Sequence, residues 1–236
     1  MQQHFETIES IEDLGEVLWY AVGVCEDLGA IRQSYHFTPL FQRQNSERTV
    51  VHAHGFDPEW IKIYEESDFR KKDPIPPRTM AHGRLLTWKD AQTIAPNTPD
   101  NEEYFAAMKE FGLVHGFGLP LFGPRSRNAY ASIDFDRPLE EVDKTIIGNV
   151  RMISQAAHQR VCVLLEAERE PIELSRRELE VLSWIVKGKS LSVIADILGL
   201  SPDTVKTYAK RIYAKLDAND RVGAVVKALK LGLVTA

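Results

Sequence analysis

The sequence predicts an α+β chain in two parts: an α/β/α sandwich built on an antiparallel sheet, then an all-α four-helix module. Three observations carry this. Helical and strand periodicities interleave over the first 165 residues without the regular alternation of βαβ units. After residue 174 only helical periodicity is present, punctuated by caps. Between the two parts, residues 166–173 read Glu-Ala-Glu-Arg-Glu-Pro-Ile-Glu, a charged run with a proline that suits a linker. The expected domains are therefore 1–165 and 174–236.

Taken in order, residues 11–30 form a helix on the spacing of Leu14, Val17, Leu18, Ala21 and Leu28, ended near Gly29. Residues 34–41 and 49–54 are short strands joined by the polar turn 42–46. Asp57 followed by Pro58 starts a helix to about Glu66, with proline at the first helical position. The prolines at 74, 76 and 77 mark an ordered turn before a short helix, and 101–111 is a further helix. Residues 116–122 and 128–135 read as an antiparallel pair. From Leu139 to Leu165, apolar residues recur at three and four, the stripe of a long helix facing a sheet or a partner.

Composition narrows the function. Of 236 residues 44% are hydrophobic and 27% charged, ordinary for a globular protein. Cys25 and Cys162 stand far apart in no ligand spacing, so both are expected as core thiols in a reducing interior. The first fourteen residues carry four acids and no base, unlike a secretory signal, and no apolar run is long enough to span a bilayer. A cytoplasmic location with no membrane partner is expected. The net charge of −5 hides an asymmetry: residues 171–236 hold 11 Lys+Arg against 7 Asp+Glu, whereas 1–170 hold 18 against 27. A basic end module on an acidic body suits a phosphate-facing partner.

That module has the local chemistry of a helix-turn-helix. Ser175, answered by Glu178, caps a helix closed by Gly188. A short helix runs from Ser190 to Leu198; the turn Gly199-Leu200-Ser201 and Pro202 open a third, to about Leu216; a fourth spans 219–231, with Val222, Val225, Val226 and Leu229 to pack. In the third helix Val205, Ala209, Ile212 and Leu216 share one face, leaving Thr204, Lys206, Thr207, Lys210 and Arg211 outside it. Such a helix can enter the major groove, its N-terminal amides with the Ser201 and Thr204 hydroxyls on phosphate and Lys206 and Lys210 at base edges. Lys189 adds charge at the preceding turn.

These residues together, from Leu174-Ser175 and Arg177-Glu178 through Glu180-Val181-Leu182, Trp184, Gly188-Lys189-Ser190, Ile194-Ala195, Leu200-Ser201, Thr204-Val205-Lys206 and Lys215-Leu216 to Asn219 and Arg221, resemble the DNA-binding domain of the LuxR family of bacterial regulators. The resemblance implies that Glu178 holds the bundle through polar contacts and that the fourth helix pairs two copies. Tyr208 stands where histidine is common in the family, and Arg211 where asparagine is common.

In the first domain, Trp60, Tyr64, Asp73, Trp88, Tyr104 and Phe105, with Tyr130, Ser132 and Asp134 alternating on one strand, are aromatic and polar beyond what a core requires. A carboxylate to accept an N–H, with hydroxyl and indole donors in an apolar pocket, suits a small molecule bearing an amide and carbonyls; a purely structural use of the same residues is equally compatible. The order Trp60, Tyr64, Asp73-Pro74, Trp88, Gly116 resembles the acyl-homoserine-lactone-binding domain of quorum-sensing LuxR-type receptors. By that resemblance Trp60 donates to the lactone carbonyl, Asp73 accepts from the acyl amide, Tyr64 and Ser132 position the acyl carbonyl, and Trp88 packs on the lactone ring. Tyr35, Phe37, Phe41 and Phe105 are candidates for the acyl-chain wall.

The resulting expectation is a ligand-responsive transcriptional regulator, not an enzyme, with no cofactor and no metal. Its partners would be a near-palindromic duplex DNA, an acyl-homoserine lactone, a second copy of itself and RNA polymerase. Three other readings compete with it. A relative could sense another small molecule or none. His52 and His54 share a strand face in the manner of a metal-dependent lactone hydrolase, but the sequence supplies no third ligand. A phosphorylation-controlled receiver needs acids ending a first parallel strand, whereas Glu26 and Asp27 fall in the first helix.

Overall fold

In the computed structural model, which describes residues 1–38, 42–66, 68–167 and 172–235, the chain divides into two units, Met1–Ala167 and Glu168–Ala236. The first unit opens with helices α1 (Gln2–Ser10) and α2 (Leu14–Asp27), then strands β1 (Ala30–Phe37) and β2 (Val50–His54). Helices α3 (Pro58–Glu66), α4 (Phe69–Lys72) and α5 (Ile75–His82) follow, then the two-residue β3 (Leu86–Thr87), α6 (Trp88–Thr93) and α7 (Pro99–Glu110). The hairpin of β4 (Phe117–Leu121) and β5 (Ala129–Phe135) leads to the long α8 (Lys144–Ala167).

The five strands form one antiparallel sheet in the order β2-β1-β5-β4-β3, with Ser34 opposite Ser132 and His36 opposite Tyr130. Strand alternation then sorts the two faces. On the back, Phe117, Leu119, Leu121, Ala131, Ile133 and Phe135 pack against Val17, Leu18 and Cys25 of α2 and Val150, Ile153, Ala157 and Val161 of α8. Each fully buried Val, Leu, Ile or Phe side chain among these contributes about 1.5–3 kcal/mol. On the front lies a second cluster, from Trp60, Tyr64, Phe69, Ile75, Trp88, Tyr104 and Met108. The architecture is the α/β/α sandwich the sequence predicts.

Several elements differ from the sequence reading for local reasons. Residues 2–10 are a separate helix, and α2 starts only at Leu14 because Asp13 caps it by accepting from the Glu16 amide. Gly29 does follow α2, at φ 95°. β1 begins four residues earlier than expected, and α7 starts at Pro99, since Thr98 and Asn101 form a capping box. Residues 139–141 are a 3₁₀ turn ahead of α8, with Val142 buried between them. α4, α6 and β3 are too short to leave a periodic signature. Part of the expected linker, 168–171, lies outside the described residues.

The second unit consists of α9 (Arg176–Val186), α10 (Leu191–Leu198), α11 (Pro202–Lys215) and α12 (Arg221–Lys230). Ser175 and Glu178 form a capping box, and Ser190, Ser201 and Asp220 cap the other three helices. Val181, Leu182, Ile185, Ile194, Val205, Ile212 and Ala224 are fully buried among them. Glu178, itself buried, accepts from Lys215 Nζ at 2.8 Å, and that ammonium together with the capping contacts of Ser175 holds its carboxyl below the usual carboxylate range. Arg221 donates to the carbonyls of Ile185 and Lys189, closing the end of α9. One expectation is corrected here. The inward residues of α12 are Ala224 and Ala228, while Val222, Val226 and Leu229 face outward.

Candidate ligand pocket and nucleic-acid interface

α3 is amphipathic with a spacing of four, so Trp60 and Tyr64 stack inward on the same face, ring centroids 6.1 Å apart. Asp73 ends α4, and the following Pro74 holds it in an extended conformation that turns its side chain into the same space. Its Oδ2 accepts from the Tyr64 hydroxyl at 3.0 Å and its Oδ1 from the Ile75 amide at 2.8 Å. Burial pushes the Asp73 carboxyl up to about 7, against the opposing pull of the Ile75 amide, the Tyr64 and Tyr104 hydroxyls and the Arg78 charge. The hydroxyls of Tyr64 and Tyr104 are raised well above their ordinary value, first by burial and then by that carboxyl.

Trp88 opens α6, its amide donating to the Gly116 carbonyl at 2.9 Å. Its indole lies flat against Gly116, where an added Cβ would come within 2.5 Å of the ring. The indole N–H is buried beside Tyr130 and has no partner within hydrogen-bond geometry among the described residues. Ser132 and Tyr130 reach the front from β5.

Trp60, Tyr64, Asp73, Trp88 and Ser132 thus line one cavity between the sheet and α3–α7. Tyr104 lines it too. Four expected residues do not: Tyr35, Phe37, Phe105 and Asp134. Tyr35 points to the back of the sheet, where its hydroxyl lies 2.7 Å from His158 Nδ1, because its neighbours Ser34 and His36 take the front. Phe37 shares that back face. Phe105 sits a helical step past Tyr104 and packs behind it, under the Arg78 guanidinium. Phe41 lies outside the described residues. Asp134 is paired with Arg32 at 3.1 Å rather than lining the cavity. Ser34 and His36 were not foreseen as lining residues; the signal was the alternation of β1, legible once its register against Ser132 and Tyr130 is known.

In the second unit, Gly199 at φ 63° makes the turn from α10 into α11. Ser201 Oγ accepts from the Thr204 amide and lies 2.7 Å from the Thr204 hydroxyl, while the Thr207 hydroxyl donates back to the Asp203 carbonyl. Val205, Ala209, Ile212 and Leu216 are buried. Lys206, Thr207, Lys210 and Arg211 are exposed on the opposite side, as is Lys189 on the turn before α10. None of these four cations forms an ion pair with an acid among the described residues. The arrangement is a short helix, a tight turn and a longer helix presenting unneutralised charge, which suits a duplex groove.

Residues 14–161 match the family model described as the autoinducer binding domain, and 173–228 match that of the bacterial regulatory proteins of the luxR family. The chain belongs to the LuxR family. It is similar to the HTH-type quorum sensing-dependent transcriptional regulator RpaR of Rhodopseudomonas palustris, 31% identical over 185 residues that cover 77% of this chain and 74% of RpaR. The HTH-type quorum-sensing regulator RhlR of Pseudomonas aeruginosa is 27% identical over 194 residues, 79% of this chain and 78% of RhlR. Among solved structures, Escherichia coli SdiA superimposes with a TM-score of 0.77 at 20% identity, covering 100% of this chain and 98% of that one. SdiA in complex with octanoyl-rac-glycerol gives 0.73 at 19%, covering 100% and 96%.

A LuxR-family quorum-sensing regulator carries its activity in these two units, as a sensor fused to a DNA-binding helix-turn-helix, and is not an enzyme. No group of three or more His, Cys, Asp or Glu among the described residues could hold a metal ion, and none of their helices is long and apolar enough to cross a membrane.

Proposed function

We propose that this chain is a cytoplasmic regulator switched by an N-acyl-homoserine lactone bound in the Trp60–Asp73 cavity, acting as a homodimer on a near-palindromic operator. The observation that carries the reading is the convergence of Trp60, Tyr64, Asp73, Trp88 and Ser132 on one cavity, around a buried carboxyl with an ionisation balance near neutrality. The Asp73 carboxylate accepts the acyl amide N–H, Trp60 donates to the lactone carbonyl, Tyr64 and Ser132 hold the acyl carbonyl, and Trp88 packs on the ring. The names of RpaR and RhlR, both given as quorum-sensing regulators, support the same signal class.

Free space in the cavity is about 40 Å³, whereas ligand pockets run to roughly 300 Å³ or more. Binding therefore spreads the walls supplied by α3–α7, and ligand affinity is coupled to repacking of that layer. On the DNA side, Lys206 and Lys210 read base edges, while Ser201, Thr204, Thr207, Arg211 and Lys189 serve phosphate. The outward apolar residues of α12 pair two copies, and RNA polymerase is the partner at the promoter.

Thermal unfolding of the full chain against acyl-homoserine lactones, with mass spectrometry of solvent extracts from the cell-purified protein, tests the sensor. A lactone should raise the midpoint in wild type and fail to do so in Asp73→Leu. An acylglycerol, the compound type bound in the SdiA complex, offers hydroxyls in place of an amide and serves as the competing probe. Stabilisation by it alone would refute the lactone assignment.

A further inference from the structure

His36 has no part in the lactone contacts assigned to Trp60, Asp73, Tyr64 and Ser132, yet it stands on the cavity wall at 5% exposure. Its Nε2 lies 2.9 Å from Ser34 Oγ. Edge-on contacts with the rings of Tyr64 and Tyr130, at centroid separations of 6.1 and 5.1 Å, fix the imidazole plane. Nδ1 has no hydrogen-bond partner among the described residues. Burial, assisted by the Arg70 charge, pushes the ring's pKa down to about 3, so at neutral pH it carries one donor and one acceptor nitrogen.

We propose that His36, braced by Ser34, is a specificity-determining residue that reads an oxygen substituent on the acyl chain close to the amide. The inference rests on the lactone reading and adds the chemistry of the chain. Position follows from the neighbours: His36 packs on Tyr64, whose hydroxyl holds Asp73, and on Tyr130, two residues from Ser132 on the same face of β5. An acyl carbonyl held by Tyr64 and Ser132 would bring the adjoining chain carbons to this ring. The Ser34 contact lets the ring serve either oxygen function. With the Ser34 hydroxyl donating to Nε2, Nδ1 carries the proton and donates to a carbonyl. With Nε2–H donating to Ser34, Nδ1 is the acceptor for a hydroxyl. An unsubstituted methylene packed against Nδ1 would cover that nitrogen without giving it a partner, which costs roughly 10-fold or more in affinity.

The test is binding of matched N-acyl-L-homoserine lactones, butanoyl through dodecanoyl, each unsubstituted, 3-oxo and 3-hydroxy, to the full chain. Wild type should hold a 3-oxygenated member roughly 10-fold tighter than its unsubstituted equal. His36→Phe should bring the ratio near one. His36→Asn, which places an amide where Nδ1 stands, should keep the preference, and His36→Gln, which keeps only the Ser34 side, should lose it. Should His36→Phe fail to fold, His36→Gln against His36→Asn carries the same comparison. Equal wild-type affinity for substituted and plain chains overturns the role of His36 and leaves the lactone reading standing, as does a preference that survives in folded His36→Phe and His36→Gln. Binding of no lactone at any length removes both.

Discussion

Asp73 is a carboxyl group that burial holds close to half-ionised at neutral pH. An unfolded chain ionises it at an ordinary carboxylate pKa, so its contribution to stability is fully present below about pH 4 and is lost as the pH rises through about 7. His36 and His158, with burial lowering them to about 3 and 4, run the other way: their contribution is present above the unfolded value near 6.5 and is lost as the pH falls. The Asp73 share is therefore read as a difference. Asp73→Asn should gain on wild type as pH is raised from 4 to 7, by on the order of a few kcal/mol in chemical denaturation. A parallel pair of curves would show that the carboxyl is not held as described. A ligand amide donating to Asp73 favours its charged form, so binding near neutral pH should release a proton. Calorimetry in buffers of different ionisation enthalpy measures that release. At this scale the sequence was readable where chemistry is unusual: Trp60, Tyr64, Asp73 and Trp88 stand out by type and spacing. It was not readable for Tyr35 and His36, because which of two strand neighbours faces the cavity depends on a register that their identities do not encode.

The elements that hold these residues work by close approach and by capping. Trp88 lies on the Gly116 backbone, with no room for a methyl group between them. Gly116→Ala should displace the indole, cost about 1–3 kcal/mol of stability and weaken ligand-induced stabilisation further. Unchanged melting with and without lactone would dismiss that contact as a determinant. In α11 the division is between a buried stripe and free cations. Lys206→Ala should reduce discrimination between operator and random duplex by about 1–3 kcal/mol, while Arg211→Ala should weaken both alike and flatten the salt dependence. Competition binding at fixed ionic strength separates the two. In the second unit the caps Ser175 and Ser201 were legible, whereas Asp220, which caps α12, was not. The short α4, α6 and β3 were not, since four to six residues hold too little periodicity to declare themselves.

For the whole molecule, the division of charge gives a basic reader on an acidic sensor. The layer order of the sensor followed from the apolar stripe of residues 139–165 and the hairpin at 116–135, while the strand order needed the structure. On α12, Val222 is 70% exposed and Val226 41%, an apolar surface that a second copy can cover. Val222→Asp should leave folding intact, lower the dimer fraction in sedimentation and reduce operator affinity steeply, since one reader binds far more weakly than two joined ones. A dimer of unaltered strength would move the pairing surface elsewhere.

The strands that line the front cavity are the same strands that floor the core behind it, and Ser34 and Ser132 border both that cavity and a small void beside Cys25, Ser154 and Ala157. A partition one backbone thick, furnished with such small side chains, transmits a push from either side. Bulk added at position 25 or 157 should press it forward and shorten the room for the signal's tail without altering any group that touches the signal. The shape of the front cavity should thus respond to changes at the rear of the sheet.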